Sequence, residues 1–149
     1  MGMTSGLLAD YAASIVATDG PLDPAATWIG VFQSLSDNGL ATVLSDLVMP
    51  TGSLATRLPI TSWAGPYQLG DGSIYYESPA KIFVPATSAD FSNIGGWYLA
   101  DALTAGELLY YSVIYPSIPL VTTMSALTIL VRMSVPSIGT YDVSIDVDG

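Results

Sequence analysis

The chain has 149 residues, half of them apolar and only 11% charged, where an average soluble domain carries roughly 25% charge. Thirteen acids stand against three cations, Arg57, Lys81 and Arg132, for a formal charge of −10. That balance excludes a protein working through phosphate backbones or anionic membrane surfaces, which call for Lys and Arg. Cysteine and histidine are both absent, so there is no disulfide frame, no thiol nucleophile, no Ser-His-Asp triad and no imidazole metal ligand.

A length of 149 residues suits one domain with a sizeable core. A monomer needs charge to cover its surface, whereas an obligate interface buries apolar area. The shortage of charge therefore points to an assembled protein. The net acidity serves solubility or attraction to a basic partner.

Three segments are expected along the chain: an N-terminal helix and connector (1–24), a β-sandwich (25–135) and an acidic C-terminal strand or arm (136–149). Residues 1–10 carry no Lys or Arg and no long apolar run, so no secretory leader is expected there. A helix is expected at about residues 5–17, with Thr4 or Ser5 as N-cap and Leu7, Leu8, Tyr11 and Ile15 at helical spacing. Gly20, Pro21 and Pro24 end it.

Beyond Pro24 the period changes to two. Residues 26–32 form a compact apolar strand candidate, and 40–48 are ambiguous between strand and helix. Residues 56–63 alternate, with Pro59 confining them to an edge or bulge. The turn Gly70-Asp71-Gly72-Ser73 leads into a strand at 74–77. Further strand candidates lie at 81–84, 96–101, 107–115 and 126–135. Short strands separated by turns read as an all-β sandwich or barrel, expected here as a jelly-roll-like β-sandwich. Trp28, Phe32, Phe83, Trp97, Leu99, Leu127, Ile129 and Val131 are its expected core.

Residues 108–131 contain no charge and are long enough to span a bilayer. Pro116 and Pro119 argue against a spanning helix and for two strands joined by a proline turn. In the strand at 126–135, Leu127, Ile129, Val131, Met133 and Val135 share one face, and the other is mixed. The strand at 107–115 is apolar on both sides: Leu109, Tyr111, Val113 and Tyr115 on one, Leu108, Tyr110 and Ile114 on the other. With the first set filling the core, Leu108, Tyr110 and Ile114 become candidate interface residues, the alternative being cover by the N-terminal helix. In the tail, Tyr141, Val143 and Ile145 alternate with Asp142, Ser144 and Asp146, either as an ordinary last strand or as an arm pairing with a neighbour's sheet edge. Tyr141, Val143 and Ile145 complete the candidate interface.

No GxSxG, P-loop, HExxH or GxGxxG pattern is present. Asp146-Val147-Asp148-Gly149 lacks the ligand spacing of a calcium loop. No spacing singles out a carboxylate pair for glycoside hydrolysis. No catalytic residue, cofactor or metal is expected. Arg57 and Arg132, two of three cations in an acidic chain, are candidates for pairing with a carboxylate.

The order of segments carries more information than any single motif. Thr27-Trp28-Ile29-Gly30-Val31-Phe32 follows the helix, and Leu54-Ala55-Thr56-Arg57-Leu58-Pro59-Ile60-Thr61 and Ile82-Phe83-Val84-Pro85-Ala86 come next. Ile94-Gly95-Gly96-Trp97-Tyr98-Leu99-Ala100-Asp101-Ala102 and Gly106-Glu107-Leu108-Leu109-Tyr110 complete the series. This succession, over about residues 5–135, resembles a family of small tailed-bacteriophage virion structural proteins, tail-fibre-like or capsid-decorating. The chain departs from that pattern at Leu58-Pro59, in the longer stretch between Gln33 and Gly52, and in its acidic tail. The resemblance implies a non-enzymatic protein assembled into the virion, without fixing head or tail. The leading expectation is a capsid decoration (cement) protein on the head surface, as a homo-oligomer with a trimer favoured. Its partners would be the major capsid protein or other virion proteins, with neither nucleic acid nor membrane. A tail, baseplate or fibre component and a glycan-binding module are the alternatives.

Overall fold

The computed structural model describes the backbone of residues 5–36, 40–135 and 141–148 and the side chains of 8–36 and 40–134. The helical spacing near the N-terminus becomes α1 (Ser5–Val16), which buries Leu8 and Ala12 with Tyr11 and Ile15 packed alongside. Thr4, the alternative cap, and the side chain of Leu7 lie outside the described residues. The chain turns after α1 at Gly20, whose N–H donates to the Ala17 carbonyl at 2.9 Å, and Leu22 N–H reaches back to the Ile15 carbonyl at 2.8 Å. A Cβ at Gly20 would strike the Ser14 carbonyl, so the turn requires glycine.

The strands are β1 (Trp28–Phe32), β2 (Ser34–Leu35), β3 (Leu47–Val48), β4 (Leu58–Pro59), β5 (Ala64–Gln68), β6 (Ile74–Glu77), β7 (Lys81–Phe83), β8 (Ser92–Ala100), β9 (Leu108–Leu120), β10 (Ala126–Val135) and β11 (Tyr141–Asp148). One antiparallel sheet runs β4-β1-β8-β9. A second runs β11-β10-β6-β5, with β7 also paired to β10, and β2 and β3 form a separate pair. The fold is all-β and sandwich-like with a single α-helix among the described residues, as the change of period implied. Strand β10 pairs along one edge with both β6 and β7. Ser78 closes the gap between them: its N–H donates to the Val131 carbonyl at 2.9 Å, and its Oγ accepts from the Val131 N–H at 3.0 Å.

The main core lies between the sheets. It contains Ile29, Val31, Ile94, Trp97 and Leu99 from the first, Ile74, Tyr76, Phe83, Leu127, Ile129, Val131 and Met133 from the second, and Leu8 and Ala12 from the helix. A second, smaller cluster on the far side of the first sheet gathers Phe32, Leu47, Tyr98 and Ala100. Seven of the eight expected core residues are buried, Phe32 in this second cluster. Trp28 is half-buried, being the first residue of β1 on its second face.

Two expectations about elements are corrected. Residues 40–48 form neither a full strand nor a helix: a short 3-10 turn, Leu44–Asp46, leads into the two-residue β3. The prolines of 108–131 do not make the turn, because β9 continues through Pro116 and Pro119 to Leu120. Pro116 lies where β9 departs from the register of β8, and among the described residues β9 is the last strand of its sheet, the position where strands tolerate proline. The turn falls at Thr122–Ser125 instead, closed by Ser125 N–H to the Thr122 carbonyl at 3.0 Å. Pro59 does sit at a sheet edge, in β4.

Candidate assembly surface

Strand β9 is 13 residues long and pairs with β8. Its register with β8 shifts twice. Between Leu99 and Ala100 β8 advances one residue, while β9 advances two, from Tyr110 to Leu108. Leu109 is therefore the extra residue of a bulge, and residues 108 and 110, which strict alternation puts on one face, part company. Leu108 pairs with Ala100 and packs on the second cluster, whereas Tyr110 pairs with Leu99 and packs on the main core.

The expected sidedness of this strand is thereby corrected. Tyr110 and Ile114 are partly buried against the main core, with the rings of Trp97 and Tyr110 5.5 Å apart. Leu108 and Tyr111 back onto the second cluster, where the Tyr111 hydroxyl accepts from Ala41 N–H at 3.1 Å. The other face of the first sheet is thus covered by residues following β1, not by α1, which lies against β5, β6 and β10. The exposed apolar residues of β9 are Leu109, Val113 and Tyr115, at 37%, 53% and 93%. Alternation groups these three on one face, but it does not say that this face meets solvent.

The second shift lies further along. From Ile94 to Gly96 β8 covers two residues, while β9 covers five, from Ile118 to Val113. The surplus bulges out at Tyr115, Pro116 and Ser117. Beside it lies an open groove of about 420 Å³, lined chiefly by Phe32, Leu35, Val113, Ile114, Tyr115 and Pro116.

Strand β11 pairs with β10 of the same chain, placing Tyr141, Val143 and Ile145 opposite Met133, Val131 and Ile129. Their side chains lie outside the described residues, as does Gly149 of the Asp-Val-Asp-Gly end. The six candidate interface residues therefore fall on two different sheets.

Two buried polar groups shape the loops around the first sheet. Arg57, 9% exposed, donates through Nε to the Tyr98 hydroxyl at 3.1 Å and through Nη1 to the carbonyls of Ala102 at 2.6 Å and Ala105 at 2.8 Å. It thus holds the loop between β8 and β9 through neutral oxygens. Asp90, 6% exposed, accepts from Ser53 Oγ at 2.8 Å and from the N–H groups of Ala86 at 3.1 Å and Thr87 at 3.2 Å. The Ser53 hydrogen bond and those backbone donors hold its carboxyl below the usual range, against desolvation. Trp97 Nε1 is buried with no hydrogen-bond partner among the described residues.

The second sheet presents a polar ladder. Arg132 donates to Glu77 Oε1 from Nε at 3.1 Å and Nη2 at 2.8 Å, and its guanidinium lies 4.8 Å from the centre of the Tyr75 ring. Tyr67, 44% exposed, stands with its ring 5.2 Å from that of Tyr75. The expected pairing of at least one arginine with a carboxylate is met by Arg132.

Among the described residues, no group of three or more Asp or Glu side chains is placed to hold a metal ion. No helix among them is long and apolar enough to cross a membrane. Comparison with known proteins found no matching family model, no matching curated protein and no matching solved structure.

Proposed function

We propose that this chain is a non-enzymatic structural protein of a tailed-phage virion, a capsid decoration protein that seats on the head surface as a homo-oligomer. The observation that carries the reading is the exposed apolar strand β9 in a chain with only 11% charged residues. Leu109, Val113 and Tyr115 are its exposed large apolar side chains, and apolar residues gathered on one exposed strand suit a contact with another macromolecule. The succession of segments from Trp28 to Tyr110 supplies the virion context, and the net charge of −10 suits a basic landing surface. The test is the abundance of the chain in purified particles. A copy number comparable to that of the major capsid protein is expected. A small fraction of it means a tail, baseplate or fibre component instead, and absence from the particles refutes a virion role.

One observation favours a second reading, a glycan-binding module. Tyr67 and Tyr75 form an aromatic pair beside Arg132 and Glu77, a combination of ring faces and charged hydrogen-bonding groups that suits sugars. Saturable binding of an oligosaccharide that is lost in Tyr67→Ala distinguishes this reading from the first.

A further inference from the structure

We infer that the outer face of the second sheet binds a neutral polysaccharide, with Tyr67 as the stacking ring and Glu77 and Arg132 as the groups that hold its hydroxyls. The inference rests on the glycan-binding reading and deepens it, naming the class of sugar and the part each residue plays. A place on a virion is no obstacle, because many copies on one shell give weak single sites a combined hold.

The site is built from strand register. Tyr67 of β5 stands opposite Tyr75 of β6, and Glu77 of β6 stands opposite Arg132 of β10. Strand β6 lies between β5 and β10, which puts Tyr75 between Tyr67, its ring 5.2 Å away, and the Arg132 guanidinium at 4.8 Å. Tyr67 is the outermost ring of this stack, on the last strand of the sheet among the described residues, and it is 44% exposed. A ring braced in this way loses little freedom when a flat apolar surface lies on it, and the C–H face of a pyranose is such a surface.

The polar half of the site has capacity to spare. Arg132 donates from Nε and Nη2 to one oxygen of Glu77, Oε1. Oε2 takes neither bond and is left for vicinal hydroxyls, which donate strongly to a carboxylate. Glu77 lies two residues from Tyr75 along β6, about 7 Å of strand. Opposite Glu77 is Ala64, followed by Gly65, so small residues keep the ground between Tyr67 and Glu77 low. All of β5 is exposed. Such an open shelf takes neighbouring units of a chain in place of one enclosed sugar.

Charge selects the class. Glu77 already offsets the Arg132 cation, Asp142 of β11 stands opposite Arg132 in register, and the chain carries −10. A uronate or sialate meets net repulsion here, whereas a neutral pyranose brings donors for Glu77 and acceptors for Arg132. A basic peptide is disfavoured too, because Arg132 already holds the cation position over Tyr75.

Calorimetric titration of the whole chain with two panels tests the site. One holds neutral hexasaccharides of glucose, galactose, mannose and N-acetylglucosamine; the other holds hexamers of galacturonate and of sialate. At least one neutral hexasaccharide should bind saturably, with an affinity that added salt leaves within about twofold. Tyr67→Ala and Glu77→Gln should each weaken it by about tenfold or more while keeping the wild-type circular dichroism. Without any substitution, amides of residues 64–68 and 74–77 should exchange more slowly when that sugar is bound. Equal or tighter binding of the acidic panel overturns the neutral class and leaves a glycan module standing. A neutral sugar held equally by both variants, or bound without slowing those amides, overturns the site. Absence of binding from both panels overturns the inference and the glycan reading together.

Discussion

The ring of Tyr98 fills the space that a side chain on Gly30 would need. The two residues face each other across β1 and β8, and a Cβ built on Gly30 falls inside the tyrosine ring's contact distance. Two residues along the same strands the pattern reverses, with Phe32 lying over Gly96. Two glycine–aromatic pairs thus let bulky rings lie close to the backbone and build the second cluster on a sheet whose other face already holds the main core.

Gly30→Ala should therefore destabilise the fold by about 1–3 kcal/mol, the usual cost of forcing extra volume into a packed site. Gly70, with open space around its Cα, is the control, and Gly70→Ala should stay within about 0.5 kcal/mol of wild type. Urea unfolding of both variants checks this, and equal stabilities would refute the close approach of Tyr98.

Displacing Tyr98 also disturbs Arg57, whose guanidinium serves the Tyr98 hydroxyl and two loop carbonyls at once. Arg57→Met should cost about 2–3 kcal/mol, because hydrogen bonds to a charged donor are lost and their acceptors stripped of a partner. Arg57→Lys should recover less than half of that, since a single ammonium does not reproduce the fork of the guanidinium. A lysine variant as stable as wild type would show that charge, not geometry, matters at this site.

The Asp90 carboxylate predicts a pH dependence. Its folded value lies below the ordinary 3.8, so the charged form is favoured by folding. The stability it confers is present above about pH 4 and is lost as pH falls through the folded value. Asp23, Asp46 and Asp71 are lowered in the same sense by local hydrogen bonds, so the wild-type melting temperature should drop on acidification even without Asp90. Asp90→Asn should melt lower at neutral pH and show a shallower acid decline. Parallel curves for the two proteins would exclude Asp90 as a contributor to acid sensitivity.

Arg132 and Glu77 are each partly exposed, 34% and 24%, and water screens such pairs. A double-mutant cycle on Arg132→Ala and Glu77→Ala should give a coupling of about 0.2–1 kcal/mol, reduced by added salt. Coupling well above that range would mean the outer face of the second sheet is covered in the working protein.

Strand β10 is legible in the amino-acid sequence by itself, because Leu127, Ile129, Val131 and Met133 keep strict alternation and all reach the core. So are the helix, the Gly70–Ser73 turn and the edge position of Pro59. These features are local: period, turn chemistry and a missing donor act within a few residues of chain. The candidate surface is not legible in the same way. Counting by twos along residues 107–115 puts Tyr110 and Ile114 outward and Val113 and Tyr115 inward, the reverse of what is found. The bulge at Leu109 responds to the register of β8, and the cover over Leu108 and Tyr111 comes from residues in the 32–49 stretch. Arg57 likewise meets its carbonyls more than forty positions away, at Ala102 and Ala105. Each outcome depends on which distant segments meet. Alternation along one strand carries no information about its partner's register, so the face that β9 turns to solvent is settled by packing between strands.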